Sequence, residues 1–304
     1  MNETSQPSSR TESEARVHAR APSHESAAPG AERGAVDAQA PGDGSRGGGR
    51  YGSESEFGPS TSLASRSVHI DLNRLERAGI LSPRLLNSRL AEELRIVKRR
   101  LLLNAAGLTE QPIIDGNLIL VTSAGPGDGK TYMSTNLAMS IAMEVDRTVL
   151  LVDCDTGRSG ATRLFGLSEK VGLSDLLQRS DLEVSDVLLQ TDIPNLRIIP
   201  AGMRIGHINE LMASAKMASL IRDLATRYSE RVIILDGPPL LATSEASLLA
   251  RLAGQIVFVV AAGKTSRGDV LNALDHLNGA PPISLILNRS TQRVETASHE
   301  SYWG

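Results

Sequence analysis

Apolar runs recur along the chain from Asn117 onward, at 118–122, 148–152, 196–200, 231–235, 255–261 and 283–287. Runs such as Leu118-Ile-Leu-Val121 and Val232-Ile-Ile-Leu235 show no alternation with polar residues, which predicts strands buried on both faces. Between them, near 130–145, 173–179, 208–228, 243–252 and 267–278, apolar residues fall at helical spacing. Strand alternating with helix predicts a mostly parallel, doubly wound α/β sheet with helices on both faces. Upstream, Leu90, Leu94, Val97 and Leu101 form an apolar stripe that predicts a helix over 87–103, with Glu92, Arg95 and Arg99 on another face. Ser82-Pro83 reads as a helix cap with proline at the first helical position. Residues 1–65 are rich in Ser, Gly, Ala, Pro, Glu and Arg, with few large apolar side chains beyond Val17, Val36, Tyr51 and Phe57. Such a segment cannot bury enough surface to offset its ordering entropy, so a disordered tail is expected there.

Composition narrows the function. A chain of 304 residues suffices for one large α/β domain plus tails. A net charge of −3 and 3% aromatic residues argue against a nucleic-acid surface, which needs a basic face and stacking rings. The single cysteine, Cys154, rules out a disulfide framework and suits a small buried filler. The histidines show no metal-ligand spacing. With no apolar stretch of membrane-spanning length and no signal-peptide core at the N-terminus, a cytoplasmic protein is expected.

The chemistry concentrates at strand ends. Val121-Thr-Ser-Ala-Gly-Pro-Gly-Asp-Gly-Lys-Thr131 joins an apolar strand to a helix with Met133, Leu137, Ile141 and Ala142 at helical spacing. That context makes a phosphate-binding loop credible, although Ala124 stands where the usual pattern opens with glycine. The loop amides and the helix N-terminus would face phosphate oxygens. Lys130 would reach the β- and γ-phosphates and the Thr131 hydroxyl would hold Mg²⁺. Val149-Leu-Leu-Val-Asp153-Cys-Asp155 ends a second strand in two acids, and Val232-Ile-Ile-Leu-Asp236-Gly-Pro-Pro239 ends a third in one. Acids at the carboxyl ends of parallel strands lie where open α/β sheets bind ligands, and Asp236 occupies the position usually tied to Mg²⁺.

Together, SAGPGDGKT, VLLVDCD and VIILDGPP resemble the bacterial tyrosine autokinases of capsule and exopolysaccharide assembly, most of all the cytoplasmic kinases of exosortase-type systems. The resemblance covers about residues 67–289. Glu92-x-x-Arg95-x-x-Lys98 resembles that family's Glu-x-x-Arg-x-x-Arg subunit-contact motif, with Lys98 in place of arginine. The family implies a P-loop NTPase-like kinase domain over 111–289, a lead-in and oligomerisation helix over 66–110, and a flexible C-terminal tail over 290–304. It implies ATP and Mg²⁺ as cofactors. Gly125, Pro126, Gly127, Asp128, Gly129, Lys130, Thr131 and Tyr132 would form the nucleotide cradle. Asn288 stands where related ATPases contact adenine, and a strand-ending turn asparagine is the other reading. Lys130, Asp153, Asp155 and Asp236 would be catalytic, with Thr131, Asp153 and Asp236 around the metal and Asp153 taking or orienting the tyrosine proton. Tyr302 would be the phosphoacceptor and Tyr51 a minor one. The implied partners are a transmembrane polysaccharide co-polymerase as activator, further copies of the chain in a ring, and a cognate tyrosine phosphatase, so that the protein is recruited peripherally to the inner membrane face. The family's Arg-Pro after the two acids is only half matched, by Arg158, and two glycines in Thr156-Gly-Arg-Ser-Gly160 are expected to loosen that loop. A partition or cell-division ATPase shares such a sheet, but its second loop lysine is replaced here by Gly125. An ATP-binding scaffold with little kinase activity is the third reading.

Overall fold

The computed structural model describes residues 67–168, 170–227 and 231–291. Tyr51, Tyr228, Tyr302 and the tail expected over 1–65 lie outside them, as does all but the first two residues of the tail expected over 290–304.

The strands are β1 (Ser67–Val68), β2 (Leu118–Ser123), β3 (Thr148–Asp153), β4 (Leu189–Thr191), β5 (Leu196–Ile199), β6 (Arg231–Asp236), β7 (Gln255–Ala261) and β8 (Ile283–Asn288). They form one sheet in the order β1-β4-β5-β3-β6-β2-β7-β8. Every pairing is parallel except β4 with β5. Helices α1 (Leu72–Arg77), α2 (Arg89–Ala105), α3 (Lys130–Ala142), α4 (Gly160–Leu164), α5 (Leu173–Gln178), α6 (Val184–Val187), α7 (Ile208–Met212), α8 (Ala215–Arg227), α9 (Glu245–Leu252) and α10 (Arg267–Asp275) connect them.

The apolar runs divide by parity between the two faces of the sheet. Ile119, Val121, Val149, Leu151, Ile234 and Val259 pack with α2 and α3 on one side. Leu118, Leu120, Leu150, Val152, Ile233 and Phe258 pack with α5, α8 and α9 on the other. Each such fully buried side chain contributes about 1.5–3 kcal/mol relative to exposure. This two-sided burial is why the central strands read as continuous apolar runs. The edge strand β8 behaves differently: Leu285 and Leu287 remain exposed while Ser284 and Ile286 turn inward.

Three local expectations change. Ser82-Pro83 caps only a 3₁₀ turn, Pro83–Leu85; Ser88 starts α2, its hydroxyl accepting from Ala91 N at 3.2 Å. The helix expected over 208–228 is broken into α7 and α8 by Ser214. Its hydroxyl donates to Leu211 O at 2.6 Å and accepts from Met217 N at 3.2 Å, closing one helix and opening the next. Finally, Lys98 does not share the outward face of Glu92 and Arg95. It is buried among Ala91, Leu94 and Leu101. Its ammonium donates to Ser140 O at 3.0 Å and pairs with Glu144, so it ties α2 to the C-terminal end of α3 within the same chain. A cation there also suits the dipole of α3. Arg95, by contrast, grips Glu92 on the open side of the helix.

The pairing register decides the site. Asp153 lies opposite Asp236 across β3 and β6, and Val121, at the threshold of the phosphate loop, lies opposite Asp236 across β2 and β6. The carboxyl ends of three neighbouring central strands therefore meet at one point.

Candidate active site

The loop 124–129 leaves β2 and delivers its last residue, Gly129, to the N-terminus of α3 with φ 106°. A side chain at Gly129 would collide with the amide of Asn288, so positive φ and close approach both demand glycine. α3 then begins with Lys130, of which only 5% is exposed. Burial pulls the Lys130 ammonium below its ordinary pKa, while the carboxylates of Asp155 and Asp236 oppose that pull.

Next along the helix, the Thr131 hydroxyl donates to Asp236 Oδ2 at 2.8 Å. Asp236 is wholly buried, and desolvation together with nearby Asp153 pushes its carboxyl pKa up to about 8. Thr131, Lys130 and Ser134 ease that charge only in part. Asp153 is held through one oxygen: its Oδ2 accepts from Thr162 N at 2.8 Å and Thr162 Oγ1 at 2.7 Å. Burial raises its pKa to about 6 despite those bonds. The remaining oxygens, Asp153 Oδ1 and Asp236 Oδ1, are buried with no hydrogen-bond partner. Two orphaned carboxylate oxygens beside a hydroxyl, at the mouth of a phosphate loop, fit a hard divalent cation that shares oxygens with a phosphate. Among the described residues no three His, Cys, Asp or Glu side chains cluster as a self-sufficient metal cage. A cation here would take its other ligands from phosphate and water, as Mg²⁺ commonly does.

Asp155 stands at the other wall. Burial raises its pKa, and Lys130 is the main opposing influence, followed by Arg158. The loop after it is not slack. Asp155 O accepts from Arg158 N at 3.0 Å and from Ser159 N at 2.6 Å, while Asp155 Oδ1 accepts from Arg158 N at 3.2 Å. Gly160 lies so close to Thr131 that a Cβ would come within 2.6 Å of its hydroxyl oxygen. The missing Pro is thus replaced by a hydrogen-bonded turn, and the second glycine is there for contact. Cys154, between the acids, is fully buried with its thiol pKa pushed well up, as befits a filler.

Two expected nucleotide contacts have a structural side. Asp128 is 2% exposed. One of its oxygens accepts from Gly125 N at 2.9 Å and the other faces Lys264 Nζ at 3.1 Å. The carboxylate therefore braces the loop from within. Asn288 Nδ2 donates to Asp128 O at 2.9 Å, fastening the end of β8 onto the loop. Tyr132 lines the cavity mouth with Gly127, Lys130 and Thr131, and its ring edge lies toward Gly79. The cavity holds about 280 Å³.

Lys264 is a site residue that sequence reasoning missed. It follows β7, donates to Pro126 O as well as to Asp128, and lies against Gly127. Its signal was a lysine just past the carboxyl end of a central strand. Thr162, the clamp on Asp153, was missed too. We expect Lys264→Met to loosen the loop and weaken nucleotide affinity by roughly fivefold, about 1 kcal/mol, with Lys264→Arg recovering most of it. Titration calorimetry measures this, and an affinity unchanged in Lys264→Met would refute the brace.

The AAA domain family matches residues 116–274, just over half of the chain. The tyrosine-protein kinase Wzc of Salmonella typhimurium is 30% identical over 189 residues, which covers 62% of this chain and 26% of that protein. The kinase domain of VpsO is 32% identical with a TM-score of 0.52, over 64% of this chain and 97% of that one. The kinase domain of the Escherichia coli tyrosine kinase Etk is 28% identical with a TM-score of 0.59, over 71% and 84% respectively. This chain spans about a quarter of the length of the curated relatives it matches.

Proposed function

Because this chain belongs to the bacterial tyrosine autokinase family, we propose that it transfers the γ-phosphoryl group of ATP, held with Mg²⁺, to protein tyrosine. The observation that carries the reading is the buried pair Asp153 and Asp236, each with an orphaned oxygen, next to Thr131 and Lys130.

The residues divide the work. Amides of 125–131 would orient the phosphates, and the N-terminus of α3 adds partial positive charge. Thr131 and Asp236 would hold the cation, with Asp153 beside it; bound Mg²⁺ supplies charge neutralisation for the β- and γ-phosphate oxygens. The Lys130 ammonium would face the transferring group, where charge builds during transfer. As the tyrosine oxygen bonds to phosphorus and the bond to ADP breaks, Asp153 Oδ1 takes the hydroxyl proton. Its other oxygen is pinned by Thr162, which leaves Oδ1, without a hydrogen-bond partner of its own, to orient or accept that proton. Asp155 supports Lys130.

Tyr302 is the acceptor we favour, presented to a neighbouring copy. Ring contacts would fall to Glu92 and Arg95, since Lys98 is already engaged within its own chain. No helix among the described residues is long and apolar enough to cross a membrane. We infer cytoplasmic placement, with recruitment to the membrane by a transmembrane co-polymerase that also activates the kinase, and with a cognate phosphatase reversing the reaction. The role is control of exopolysaccharide assembly.

The test is incubation with labelled ATP in the presence of the activator's cytoplasmic segment, followed by phosphoamino-acid analysis. We expect label on tyrosine, sharply reduced in Tyr302→Phe. Free phosphate alone, or binding without turnover, would contradict the proposal.

A further inference from the structure

The cavity that faces Lys130 has a basic rim the phosphate chemistry does not use up. Arg158, Arg163 and Arg289 line it from three segments: the loop after β3, helix α4, and the residue following β8. All three are exposed. Their hydrogen bonds run through backbone atoms only, among them Arg158 N to Asp155, Arg163 N to Ser159, Arg163 O from Arg74, and Arg289 N to Asn288. Among the described residues no carboxylate lies within ion-pair distance of their guanidinium groups. Asp155 is the acid in the cavity wall, and Lys130 is the cation that acts on it most strongly.

Arg289 adds an independent sign. Its φ is 61°, a left-handed backbone that favours glycine and is disfavoured for a residue with a Cβ. A long basic side chain kept at such a position, beside a ligand cavity, points to use. A triphosphate bound here would already meet the loop amides, Lys130 and its cation. Three further exposed arginines lining the cavity exceed what the nucleotide asks for. They match a second anionic group entering after it, and the planar fork of arginine suits a carboxylate.

We propose that Arg163 and Arg289, with Arg158, form an acceptor subsite that selects tyrosines flanked by a carboxylate. The inference rests on the kinase reading and names its substrate class. The chain carries such a sequence: Glu300 lies two residues before Tyr302 in Ser-His-Glu-Ser-Tyr-Trp-Gly. The carboxylate would dock on the arginine rim while the tyrosine oxygen reaches toward Asp153 and Lys130. The rim thus acts on binding of the acceptor, not on bond breaking.

The test uses the full chain with a fluorescent peptide of residues 298–304, alongside Glu300→Ala and Glu300→Lys peptides. Binding is read by fluorescence anisotropy with Mg–ADP present, and transfer is read separately with labelled ATP and the activator's cytoplasmic segment. We expect the native peptide to bind and react roughly tenfold better than Glu300→Ala, and better still than Glu300→Lys. Arg163→Glu and Arg289→Glu should invert that order, a reversal that loss of folding cannot mimic. Peptide binding that follows charge in this way without any transfer would leave the subsite standing and sink the kinase reading. Transfer to all three peptides at equal efficiency would leave the kinase and overturn the subsite. No binding of any peptide, or loss of Mg–ADP binding in both arginine variants, would also overturn it, the latter by assigning the rim to the nucleotide.

Discussion

We expect Lys130→Met to lower the proposed tyrosine phosphorylation by roughly 100- to 1,000-fold while leaving a folded protein. The magnitude follows from removing a charge aimed at the group where negative charge gathers during transfer. Lys130 can be lost without collapse because methionine keeps most of the apolar stem that packs at the start of α3. The residue is 5% exposed, and burial alone would favour the neutral amine. Asp155 counters that desolvation first and Asp236 adds to it once ionised, so the acids proposed for the reaction also favour the charged lysine. Removing it should therefore also push the carboxyls of Asp155 and Asp236 further up, since Lys130 lowers both. The check is initial-rate phosphotyrosine formation with melting temperature recorded in parallel. A rate within threefold of the parent would remove Lys130 from the mechanism.

Asp236→Asn separates stability from function in opposite directions. The folded-state pKa of Asp236, about 8, lies above the ordinary carboxyl value of 3.8, because the group is buried beside Asp153. Below about pH 4 the carboxyl is neutral in both states and its burial carries no charge penalty. Between about 4 and 8 the unfolded chain ionises while the folded one retains the proton. Stability in the absence of ligand therefore falls as pH rises through that window. Asparagine removes the ionisation and keeps an oxygen for the Thr131 hydroxyl. The variant should melt higher at pH 7, by roughly 3–8 °C, and its melting temperature should vary less between pH 5 and 8. The same change should cut Mg²⁺-dependent phosphorylation by roughly 100-fold or more, since it deletes a carboxylate placed for the cation. Scanning calorimetry at several pH values with parallel rate measurements decides it. A destabilised variant at pH 7 would show that the buried carboxyl is not strained in the way described.

Much of this centre was legible in the chain because its signals are local. A strand, a glycine-rich turn and Lys130-Thr131 lie within a dozen residues, and each acid ends its own apolar run. Strand identity was equally clear for β2, β3, β6 and β7, whose positions are buried on both faces. What stayed hidden depends on distant partners. Lys264 becomes a loop brace only when β7 is placed next to β2, bringing it to Asp128 from 136 residues away in sequence. Lys98 carried the right charge for an outer contact, but the docking of α2 on α3 turns it inward to Glu144. β1 and β4 are too short to show a period, and exist because each finds a neighbour's open edge. The break at Ser214 is a local signal that a continuous apolar pattern masked.

The central claim is that a magnesium–triphosphate binds where Thr131, Asp153 and Asp236 converge. Titration calorimetry of Mg–ATP at pH 7, repeated in buffers of differing ionisation enthalpy, tests it most directly. Asp236 is largely protonated at that pH and must give up its proton to meet the cation, so binding should release up to about one proton. The release should disappear in Asp236→Asn and when the metal is chelated. Binding of ATP with the same affinity and no proton release, with or without Mg²⁺, would contradict the account.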